Sequence, residues 1–372
     1  MENHLHIISH DVPWPADYGG VIDIYYCIEA LHALGIRVHL HCFTGKRKPQ
    51  AHLQNICRSV HYYPRKESVT GFSLQLPYIV SSRVSSKLEA ELKKDDYPIL
   101  IEGIHCSYMV YKNVFPGRKI FLRPFNIEQQ YYANLAAFEK QFLKRQYYLH
   151  ESKLLLRYEK IIAQKAPILN LSKTDQKFYS EKLGAAARFL PVFLPWQKIT
   201  SKPGMGNYCL YHGNLSVNEN DKAACWLLKS VFKTLPIPIV IAGKNPSYTV
   251  QSWVQKLPHA KLVANPDAAT LQNLIENAQV NILPSFNTTG VKLKLLNALF
   301  NGRHCLTNEA GVAGSGLESI TSLAHNPKSF AEQIQKMISL EFSDEDINKR
   351  AAVLYSLYNN TSNAATLCDW FI

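Results

Sequence analysis

The segment Ser285–Gly302 contains small polar residues and two lysines, and it follows the apolar run Val280–Leu283. The apolar run predicts a buried strand, and the second half of the segment is rich in helix-forming residues. A loop between strand and helix directs unpaired backbone N–H groups at one spot, with the positive end of the helix dipole behind them. Such a junction can bind phosphate, and Lys292 and Lys294 add positive charge. The same residues also fit an ordinary strand–helix unit with a threonine-capped loop and lysines in water.

Two adjacent glycines, Gly19 and Gly20, end the segment that follows the first predicted strand, Leu5–Ile8. They let the backbone approach a ligand closely and adopt dihedral angles that other residues avoid. The segment lacks the G-x-G-x-x-G pattern, so the dinucleotide-binding fingerprint is absent. A glycine turn explains the pair equally well. His10 and Asp11 form a polar pair at the same strand end, where Asp11 is interpreted as shaping the loop.

Short apolar strands alternate with helical stretches along the chain, and this rhythm predicts parallel sheets covered by helices on both faces. In the first half, strands are predicted at Leu5–Ile8, Val38–Cys42, Val60–Tyr63, Ile99–Ile101, Lys119–Leu122 and Ile168–Leu171. In the second half, they are predicted at Tyr208–Tyr211, Ile237–Ile241, Lys261–Val263, Val280–Leu283 and His304–Leu306. Helices are predicted at Val21–Leu34, Ala136–Leu149, Lys153–Ile162 and Ala223–Phe232, with one or two more in Asp344–Ile372.

Pro191–Pro203 interrupts this alternation with proline, lysine, serine and glycine, and we interpret it as a hinge. The predicted fold class is therefore α/β, with two Rossmann-like doubly wound domains. Their predicted ranges are 1–195 and 196–350. A C-terminal helix in 351–372 is expected to return to the first domain.

The composition agrees with two folded domains. The chain has 372 residues, more than single cores usually contain, and 47% of them are hydrophobic against 19% charged. It has no apolar run long enough to span a bilayer, and its N-terminus lacks the basic region and apolar core of a signal peptide. The eight cysteines lack C-x-x-C spacing, which indicates reduced thiols in the cytoplasm and argues against a zinc site.

The net charge of +12 is concentrated in the first half of the chain. Residues 1–200 contain 27 Lys+Arg against 17 Asp+Glu, so an anionic partner is expected: a nucleic acid, a membrane surface or a phosphorylated substrate. Nucleic acid is the weakest of these because the chain has no arginine-rich helix. Plain solubility is the alternative. The basic, aromatic stretch 140–148 fits anionic lipid headgroups, although a solvated helix face explains it more simply.

Six segments carry a resemblance to a known family: Gly19–Gly20, Phe121–Tyr132, Ile168–Asp175, Cys209–Leu215, Ile241–Lys244 and Thr289–Asn297. In their order and residues they resemble the GT-B fold glycosyltransferases of family 4, and the resemblance covers nearly the whole chain. Phe121–Tyr132 matches the family pattern R-x-H-N-x-E, with Phe125 where histidine is common, and Thr289–Asn297 matches the family motif E-x7-E. The resemblance implies two Rossmann-like domains facing each other across a cleft. The second would bind a nucleotide-sugar donor and the first an acceptor.

The resemblance also assigns a set of residues to the donor. These are Gly19, Gly20, Gly213, Gly243, Lys244, Thr289, Gly290, Val291, Lys292, Lys294 and Asn297.

The chain departs from the family motif, because the two glutamates of E-x7-E fall on Thr289 and Asn297. In the family the second glutamate usually holds the ribose hydroxyls of the donor, which an asparagine amide binds more weakly. The first usually contacts the transferred sugar, where a threonine hydroxyl is a poorer substitute. The family's basic pair after the first strand of the second domain is also missing, since 214–220 contains no lysine or arginine.

Diphosphate binding is therefore expected to depend on Lys244, Lys292 or Lys294 and on the backbone at Thr289–Val291. The loss of the two motif glutamates and the presence of Lys292 and Lys294 make this segment more positive, which favours the binding of two phosphate groups. On a helix, Lys294 shares a face with Asn297, whereas Lys292 points away from it and reaches a phosphate only by curling back.

Glu102 and His105 follow the predicted strand Ile99–Ile101 at the edge where ligands bind. In relatives, a histidine near this point lies against the transferred sugar. We therefore expect His105 to hydrogen-bond a sugar hydroxyl or the developing charge on the leaving group, or else to cap the strand end. Glu102 is the nearest carboxylate that could accept the proton of the acceptor hydroxyl.

The resemblance implies a hexosyltransferase-like enzyme that moves a sugar from a UDP- or GDP-linked donor to a glycan or lipid-linked acceptor hydroxyl. Retention at the anomeric carbon and a role in cell-surface polysaccharide or glycoconjugate synthesis are implied with it. Nothing resembles a D-x-D pair between the two domains, so neither a metal nor a cofactor beside the donor substrate is expected. The expected location is cytoplasmic, with peripheral contact to an anionic membrane and none to nucleic acid.

Two alternatives stay open at this point. One is a catalytically impaired protein that binds nucleotide sugars, which the replaced glutamates favour. The other is a GT-B enzyme of another reaction, such as an epimerase.

Overall fold

The computed structural model describes residues 3–371, which form two compact units. Unit 1 comprises Met1–Pro195 and Tyr358–Ile372, and unit 2 comprises Trp196–Leu357. Each unit is built on one parallel β-sheet. No helix within residues 3–371 is long and apolar enough to cross a membrane.

The sheet of unit 1 has seven parallel strands in the order β3-β2-β1-β4-β5-β6-β7. The strands are β1 (His4–Ser9), β2 (Arg37–Thr44), β3 (Ser59–Pro64), β4 (Ile99–Glu102), β5 (Ile120–Arg123), β6 (Ile168–Asn170) and β7 (Ala187–Phe189). Ile8 and Leu122 enter a core on one face, and Ile7 and Phe121 enter a core on the other. The central strands are rich in apolar residues because both faces of the sheet are buried.

Seven helices of unit 1 precede the boundary with unit 2. They are α1 (Gly19–Ala33), α2 (Tyr78–Ser81), α3 (Ser86–Leu92), α4 (Tyr108–Tyr111), α5 (Glu128–Phe138), α6 (Phe142–Ile162) and α7 (Lys173–Lys177).

The sheet of unit 2 has six parallel strands in the order β10-β9-β8-β11-β12-β13. The strands are β8 (Cys209–His212), β9 (Ile239–Gly243), β10 (Ala260–Ala264), β11 (Val280–Ile282), β12 (His304–Thr307) and β13 (Ser322–Leu323). The helices are α8 (Asn218–Trp226), α9 (Tyr248–Lys256), α10 (Ala268–Asn277), α11 (Leu293–Asn301), α12 (Glu309–Val312), α13 (Pro327–Ile338) and α14 (Asp344–Leu357). The last helix of the chain, α15 (Asn360–Phe371), belongs to unit 1, where it packs on α1.

The fold class predicted from the sequence is confirmed, and every predicted strand is present with ends shifted by no more than two residues. Two strands were not predicted. β7 is a three-residue edge strand whose side chains are only partly buried or exposed, and β13 has two residues. Strands this short carry too few residues for a hydrophobic pattern.

The long helical region of unit 1 breaks at another place than predicted. We expected helices over Ala136–Leu149 and Lys153–Ile162, but the chain turns at residues 139–141, and α6 continues unbroken to Ile162. The turn is stabilised by the Glu139 carboxylate, which accepts the N–H of Gln141 at 3.0 Å. α5 and α6 therefore form an antiparallel helical hairpin.

A buried ion cluster joins three elements of unit 1. Arg123, at the end of β5, donates from Nη2 to Asp23 Oδ1 of α1 (2.9 Å), and its Nη1 lies 3.3 Å from Glu102 Oε2 of β4. All three side chains are almost completely shielded from solvent. The guanidinium also donates to the carbonyl of Pro191, and Asp23 accepts the N–H of Phe193. The cluster therefore ties α1, the sheet and residues 191–193 together through desolvated charges.

Five histidines form a hydrogen-bonded ladder across β1, β2 and β3, on the face of the sheet covered by the chain around Asp95. The members are His4 and His6 of β1, His39 and His41 of β2, and His61 of β3. His6 Nε2 lies 2.9 Å from Asp95 Oδ1, and His6 Nδ1 lies 2.8 Å from His41 Nε2. Because the carboxylate only accepts, His6 donates to Asp95 and accepts from His41, which in turn accepts from the Tyr63 hydroxyl.

The ladder is built for uncharged imidazoles. Burial lowers the pKa of His39 to about 4 and holds the pKa of His41 well below its ordinary value, and the neighbouring histidines lower both further. Burial also lowers the pKa of His6, against the opposing effect of Asp95. The other charged groups near the ladder are Glu91 of α3, which lies 3.9 Å from His61, and Arg118, which pairs with Asp95 at 2.8 Å.

We therefore expect the protein to lose stability as the pH falls from about 6.5 through about 4. In this range the unfolded chain binds protons that the folded histidines exclude, so each such histidine contributes a slope of up to about 1.4 kcal/mol per pH unit. Urea unfolding at several pH values measures the slope. A His39→Gln, His41→Gln variant should show a smaller slope than a variant in which the exposed His150 is replaced by Gln. Equal slopes would contradict the assignment.

Candidate functional site

The carboxyl edge of the unit 2 sheet brings together three loops around its central strands. β8 and β11 are neighbours in the sheet. The chain continues from β8 to β9 on one side of this pair, and from β11 to β12 on the other side. Such a switch point opens a crevice at the carboxyl ends of the strands, where α/β proteins bind ligands. All the predicted donor-binding residues except the pair in α1 lie at the end of β9, in the loops that follow β8, β9 and β11, or in the first two turns of α11.

The loop from β11 to α11 is shaped by Asn287. Its side-chain oxygen accepts both the backbone N–H and the hydroxyl of Thr289, each at 2.9 Å. Gly290 follows with a φ of +68°, a conformation that favours glycine. α11 begins at Leu293, and Lys292 precedes it without a side-chain cap. The chain thus turns at Gly290 just before the helix. No capping side chain accepts a hydrogen bond from the first backbone N–H groups of α11.

Lys294 of α11 contacts both α8 and β8 at this edge. Its Nζ donates to Asn220 Oδ1 at 3.1 Å and lies 5.0 Å from the centre of the Tyr211 ring. Burial lowers the pKa of Lys294 to about 8, with Glu219 opposing and Lys292 adding to the decrease. An ammonium group that has given up much of its hydration gains strongly from an anionic ligand.

Two side chains near Lys294 were not recognised as site residues from the sequence. His212, the last residue of β8, is buried, and its Nε2 has no hydrogen-bond partner among residues 3–371. Burial together with the charge of Lys294 lowers its pKa to about 3. Glu219 of α8 accepts the hydroxyl of Ser285 at 2.8 Å and stabilises the charge of Lys294. A carboxylate is therefore present at this edge although Thr289 replaces the motif glutamate.

The remaining predicted residues of unit 2 differ in how they are held. Lys292 donates to the carbonyl of Thr289 at 2.6 Å, so it curls back over its own loop. Lys244 is exposed beyond the end of β9. Asn297 is partly buried one turn after Lys294, and its side-chain oxygen accepts from Asn301 at 2.7 Å. Lys294 and Asn297 are thus fixed, whereas Lys244 is free to move in solvent.

Gly213 and Gly243 allow the loops after β8 and β9 to touch. A Cβ on Gly243 would lie 1.9 Å from the carbonyl oxygen of Gly213. The N–H of Leu215 donates to the carbonyl of Lys244 at 2.9 Å, which holds the two loops in this contact. The resemblance assigned both glycines to the donor, and in the structure they bring the two loops together beside Lys294.

Gly243→Ala is expected to destabilise the protein by about 1–3 kcal/mol or more, because the added methyl group meets backbone that cannot move aside. Urea unfolding measures the change. Gly45→Ala is the matched control, since its Cβ would lie 3.4 Å from the flexible side chain of Glu67. A stability of the Gly243 variant equal to that of the control would show that the contact is not needed.

A second polar cluster lies at the carboxyl edge of the unit 1 sheet. His10 follows β1, His105 follows β4 and Phe125 follows β5, and these strands are neighbours. The ring centres of His10 and His105 are 5.2 Å apart, and those of His10 and Phe125 are 4.9 Å apart. Gly103 has a φ of +79°, and a Cβ there would lie 2.6 Å from the Phe125 ring. Glycine therefore permits the close packing of this cluster.

Both histidines of the cluster are uncharged near neutral pH, and the Nδ1 atom of each ring is buried. Burial, followed by the charge of Arg83, lowers the pKa of His10 to about 3 and holds the pKa of His105 well below its ordinary value. The Nδ1 atoms of both lack a hydrogen-bond partner within residues 3–371. Both side chains are partly exposed, and a neutral imidazole is suited to hydrogen bonding with hydroxyl groups.

The turn from β1 to α1 positions His10. The hydroxyl of Tyr18 donates to Asp11 Oδ2 at 2.9 Å and lies 3.2 Å from His10 Nε2. Arg83 is buried and donates to the carbonyl of His10 at 3.0 Å. Gly20 leaves room for the ring, because a Cβ there would lie 3.1 Å from His10 Cε1. Gly19, the first residue of α1, is exposed.

Glu102 does not lie with this cluster as an open carboxylate. It is completely buried and paired with Arg123 in the ion cluster described above. Burial raises the pKa of Glu102, but the guanidinium beside it opposes protonation. The geometry therefore favours a structural role for Glu102 and leaves His105 as the accessible side chain of the predicted pair.

Comparisons with known proteins were made for the whole chain. No family model matches it. It is 28% identical over 332 residues to an uncharacterized 44.6 kDa protein in the cps region of Klebsiella pneumoniae, covering 83% of this chain and 84% of that protein.

Solved structures with a similar fold are glycosyltransferases. Sucrose-phosphate synthase of Thermosynechococcus elongatus matches with a TM-score of 0.72 at 16% identity, covering 100% of this chain and 98% of the enzyme. TarM of S. aureus matches with a TM-score of 0.69 at 9% identity over 99% of both chains. Anabaena HepE, solved in complex with UDP and glucose, matches with a TM-score of 0.63 at 12% identity over 98% of both chains. The chain therefore has the GT-B fold of these enzymes.

Proposed function

We propose that this protein is a glycosyltransferase that moves a sugar from a nucleoside diphosphate donor to a hydroxyl of a glycan or lipid-linked acceptor. Membership of family 4 and retention at the anomeric carbon are parts of this proposal, supported by the order of the six motifs. A place in cell-surface polysaccharide synthesis is supported by the relative from a cps region. A cytoplasmic location is supported by eight cysteines that are all free thiols.

The observation that carries the proposal is the site around Lys294. A desolvated ammonium group lies at the switch point of the unit 2 sheet, near the uncapped start of α11. Backbone N–H groups, the helix dipole and a lysine together bind phosphate oxygens. We propose that Lys294 and the Gly290–Lys292 backbone bind the diphosphate of the donor.

The chemistry follows from where negative charge develops. Breaking the bond between the sugar and the diphosphate leaves charge on the phosphate oxygens, and fixed dipoles and cations lower the energy of that state. Lys294 and the amides of the loop supply this stabilisation in the proposal, without a metal ion. We propose that Glu219, from α8, keeps Lys294 charged, and that Asn297 binds the ribose hydroxyls in place of the family glutamate.

We propose that the acceptor binds at the carboxyl edge of the unit 1 sheet. The side chains of His10 and His105 are uncharged and partly exposed, so they can hydrogen-bond sugar hydroxyls without repelling a positively charged transition state. Phe125 adds an apolar surface beside them.

The experiment begins with a thermal-shift screen of the purified chain against UDP, GDP and their sugars. The best donor is then supplied with a radiolabelled sugar and an acceptor extract, and transfer to glycan and release of free sugar are both measured. Transfer that is lost in the His105→Ala variant supports the proposal. Binding without turnover would identify a nucleotide-sugar-binding protein, and conversion of the donor sugar without transfer would identify an epimerase. No stabilisation by any nucleotide would overturn the diphosphate site.

A further inference from the structure

The turn between α5 and α6 exposes large apolar side chains at the surface of unit 1. Leu143 is 81% exposed, Phe142 is 70% exposed and Phe138 is 39% exposed. Two adjacent apolar side chains as exposed as Phe142 and Leu143 are unusual, because burying either of them would remove much apolar surface from water. Three cations, Lys140, Lys144 and Arg145, are exposed at the same turn. We refer to these six residues as the hairpin surface.

The positive charge continues along α6 with no exposed acid. The helix contains two carboxylates, and both are buried: Glu151 accepts the N–H of Tyr78, and Glu159 accepts the N–H of Glu128 and the hydroxyl of Tyr179. The exposed side of α6, all of which the structure describes, carries Leu149, Lys153, Leu156, Arg157, Lys160 and Ile161 in addition to the residues of the turn. Apolar and cationic side chains thus alternate on one face.

We propose that the hairpin surface binds an anionic lipid bilayer. Leucine and phenylalanine enter the boundary between headgroups and acyl chains, while lysine and arginine remain with the phosphates. A second copy of this chain would place the same cations against each other. The carboxylate beside the hairpin surface, Glu139, is partly buried and already pairs with Lys144 at 2.9 Å, so it does not offset this repulsion. Charge complementarity therefore selects an anionic membrane over self-association.

The position of the turn within unit 1 suits this partner. α5 starts two residues after Asn126, directly beyond the β5 carboxyl end where Phe125 and His105 lie. The helix has eleven residues, so its far end is about 16 Å from that edge at 1.5 Å per residue. A protein bound through the hairpin surface would hold the His10–His105 cluster near the headgroups, within reach of a sugar attached to a lipid.

Vesicle co-sedimentation of the full chain tests the proposal. Vesicles of phosphatidylcholine and phosphatidylglycerol in a three-to-one ratio are compared with vesicles of phosphatidylcholine alone, without donor or acceptor. We expect binding to the anionic vesicles that is lost in about 1 M salt. Lys140→Gln, Lys144→Gln and Arg145→Gln combined should weaken it about a hundredfold, since each cation near the surface contributes about fivefold. Phe142→Ser with Leu143→Ser should weaken it about tenfold or more.

Matched control variants lie on unit 2. Tyr248 is 85% exposed, and Lys328 and Lys336 are exposed cations of α13. Tyr248→Ser, or Lys328→Gln with Lys336→Gln, should leave vesicle binding unchanged. Equal binding by the wild type to both kinds of vesicle, or binding by the hairpin variants equal to the controls, would overturn the proposal. So would a wild-type dimer, measured by sedimentation, that the Phe142→Ser, Leu143→Ser variant converts to a monomer. Because no substrate is present, these outcomes are independent of the proposed reaction.

Discussion

Replacing Lys294 by alanine should weaken the binding of the best nucleoside diphosphate by about 1.5–3 kcal/mol, roughly 10- to 150-fold in Kd. The ammonium group is already desolvated beside Tyr211 and Asn220, so a phosphate oxygen replaces little water when it binds. Isothermal titration calorimetry measures the change. Lys244→Ala is the matched control: this lysine is exposed, and a solvated charge contributes about 1 kcal/mol or less.

The pH dependence of the same binding gives an independent check. Burial lowers the pKa of Lys294 to about 8, so the free protein loses this charge as the pH rises through 8. A bound diphosphate favours the charged form, and binding above pH 8 therefore requires uptake of a proton. We expect Kd to increase by up to about tenfold per pH unit above 8 in the wild type. Lys294→Arg should remove this dependence. An unchanged Kd in Lys294→Ala would place the phosphates elsewhere.

The largest expected effect on stability is in unit 1. Asp23→Ala should reduce the free energy of unfolding by about 3–5 kcal/mol, because it leaves Arg123 buried with the more distant Glu102 as its remaining carboxylate. The N–H of Phe193 would also lose its acceptor. Urea unfolding followed by circular dichroism measures the difference.

The exposed pair of Arg47 and Asp17, at 2.7 Å, supplies the matched control for this variant. Asp17→Ala should cost about 1 kcal/mol or less, because water screens the pair. Asp23→Asn should lie between the two, since the amide keeps the size of the carboxylate and one acceptor. A loss in Asp23→Ala no larger than in Asp17→Ala would contradict the view that this cluster ties α1 to the sheet.

The sequence was sufficient for the architecture because strands buried on both faces are short stretches of mainly apolar residues. Ile7, Ile8 and Leu122 belong to such stretches, and each lies where periodicity predicted a strand. The edge strand β7 could not be recognised, since half-exposed residues such as Ala187 and Phe189 carry no pattern. The break in the hairpin depended on side-chain hydrogen bonds of Glu139, which periodicity does not report.

The sites were less predictable because they are assembled from residues far apart in the chain. Lys294 was recognised from its position in a motif, but its pairing with Asn220 joins residues 74 positions apart. Glu219 gave no signal, because acidic residues such as Glu219 and Asp221 are common in the first turn of a helix. His212 lies within the motif segment Cys209–Leu215, and no role was predicted for it. Its position as a polar residue at the end of an apolar strand is the signal that would have identified it. Glu102 was predicted to be an open carboxylate because its partner Arg123 lies on another strand, and this pairing cannot be read from the sequence.

The placement of α15 affects how the protein can be made and divided. Unit 2 is one uninterrupted stretch, Trp196–Leu357, whereas unit 1 is completed by Tyr358–Ile372. Leu367 and Phe371 pack in the same core as the buried face of α1. Because they are synthesised last, this face of α1 stays uncovered until the end of synthesis. A gene fragment encoding unit 2 should therefore yield a self-contained product, while one that stops at residue 195 should yield an aggregating polypeptide.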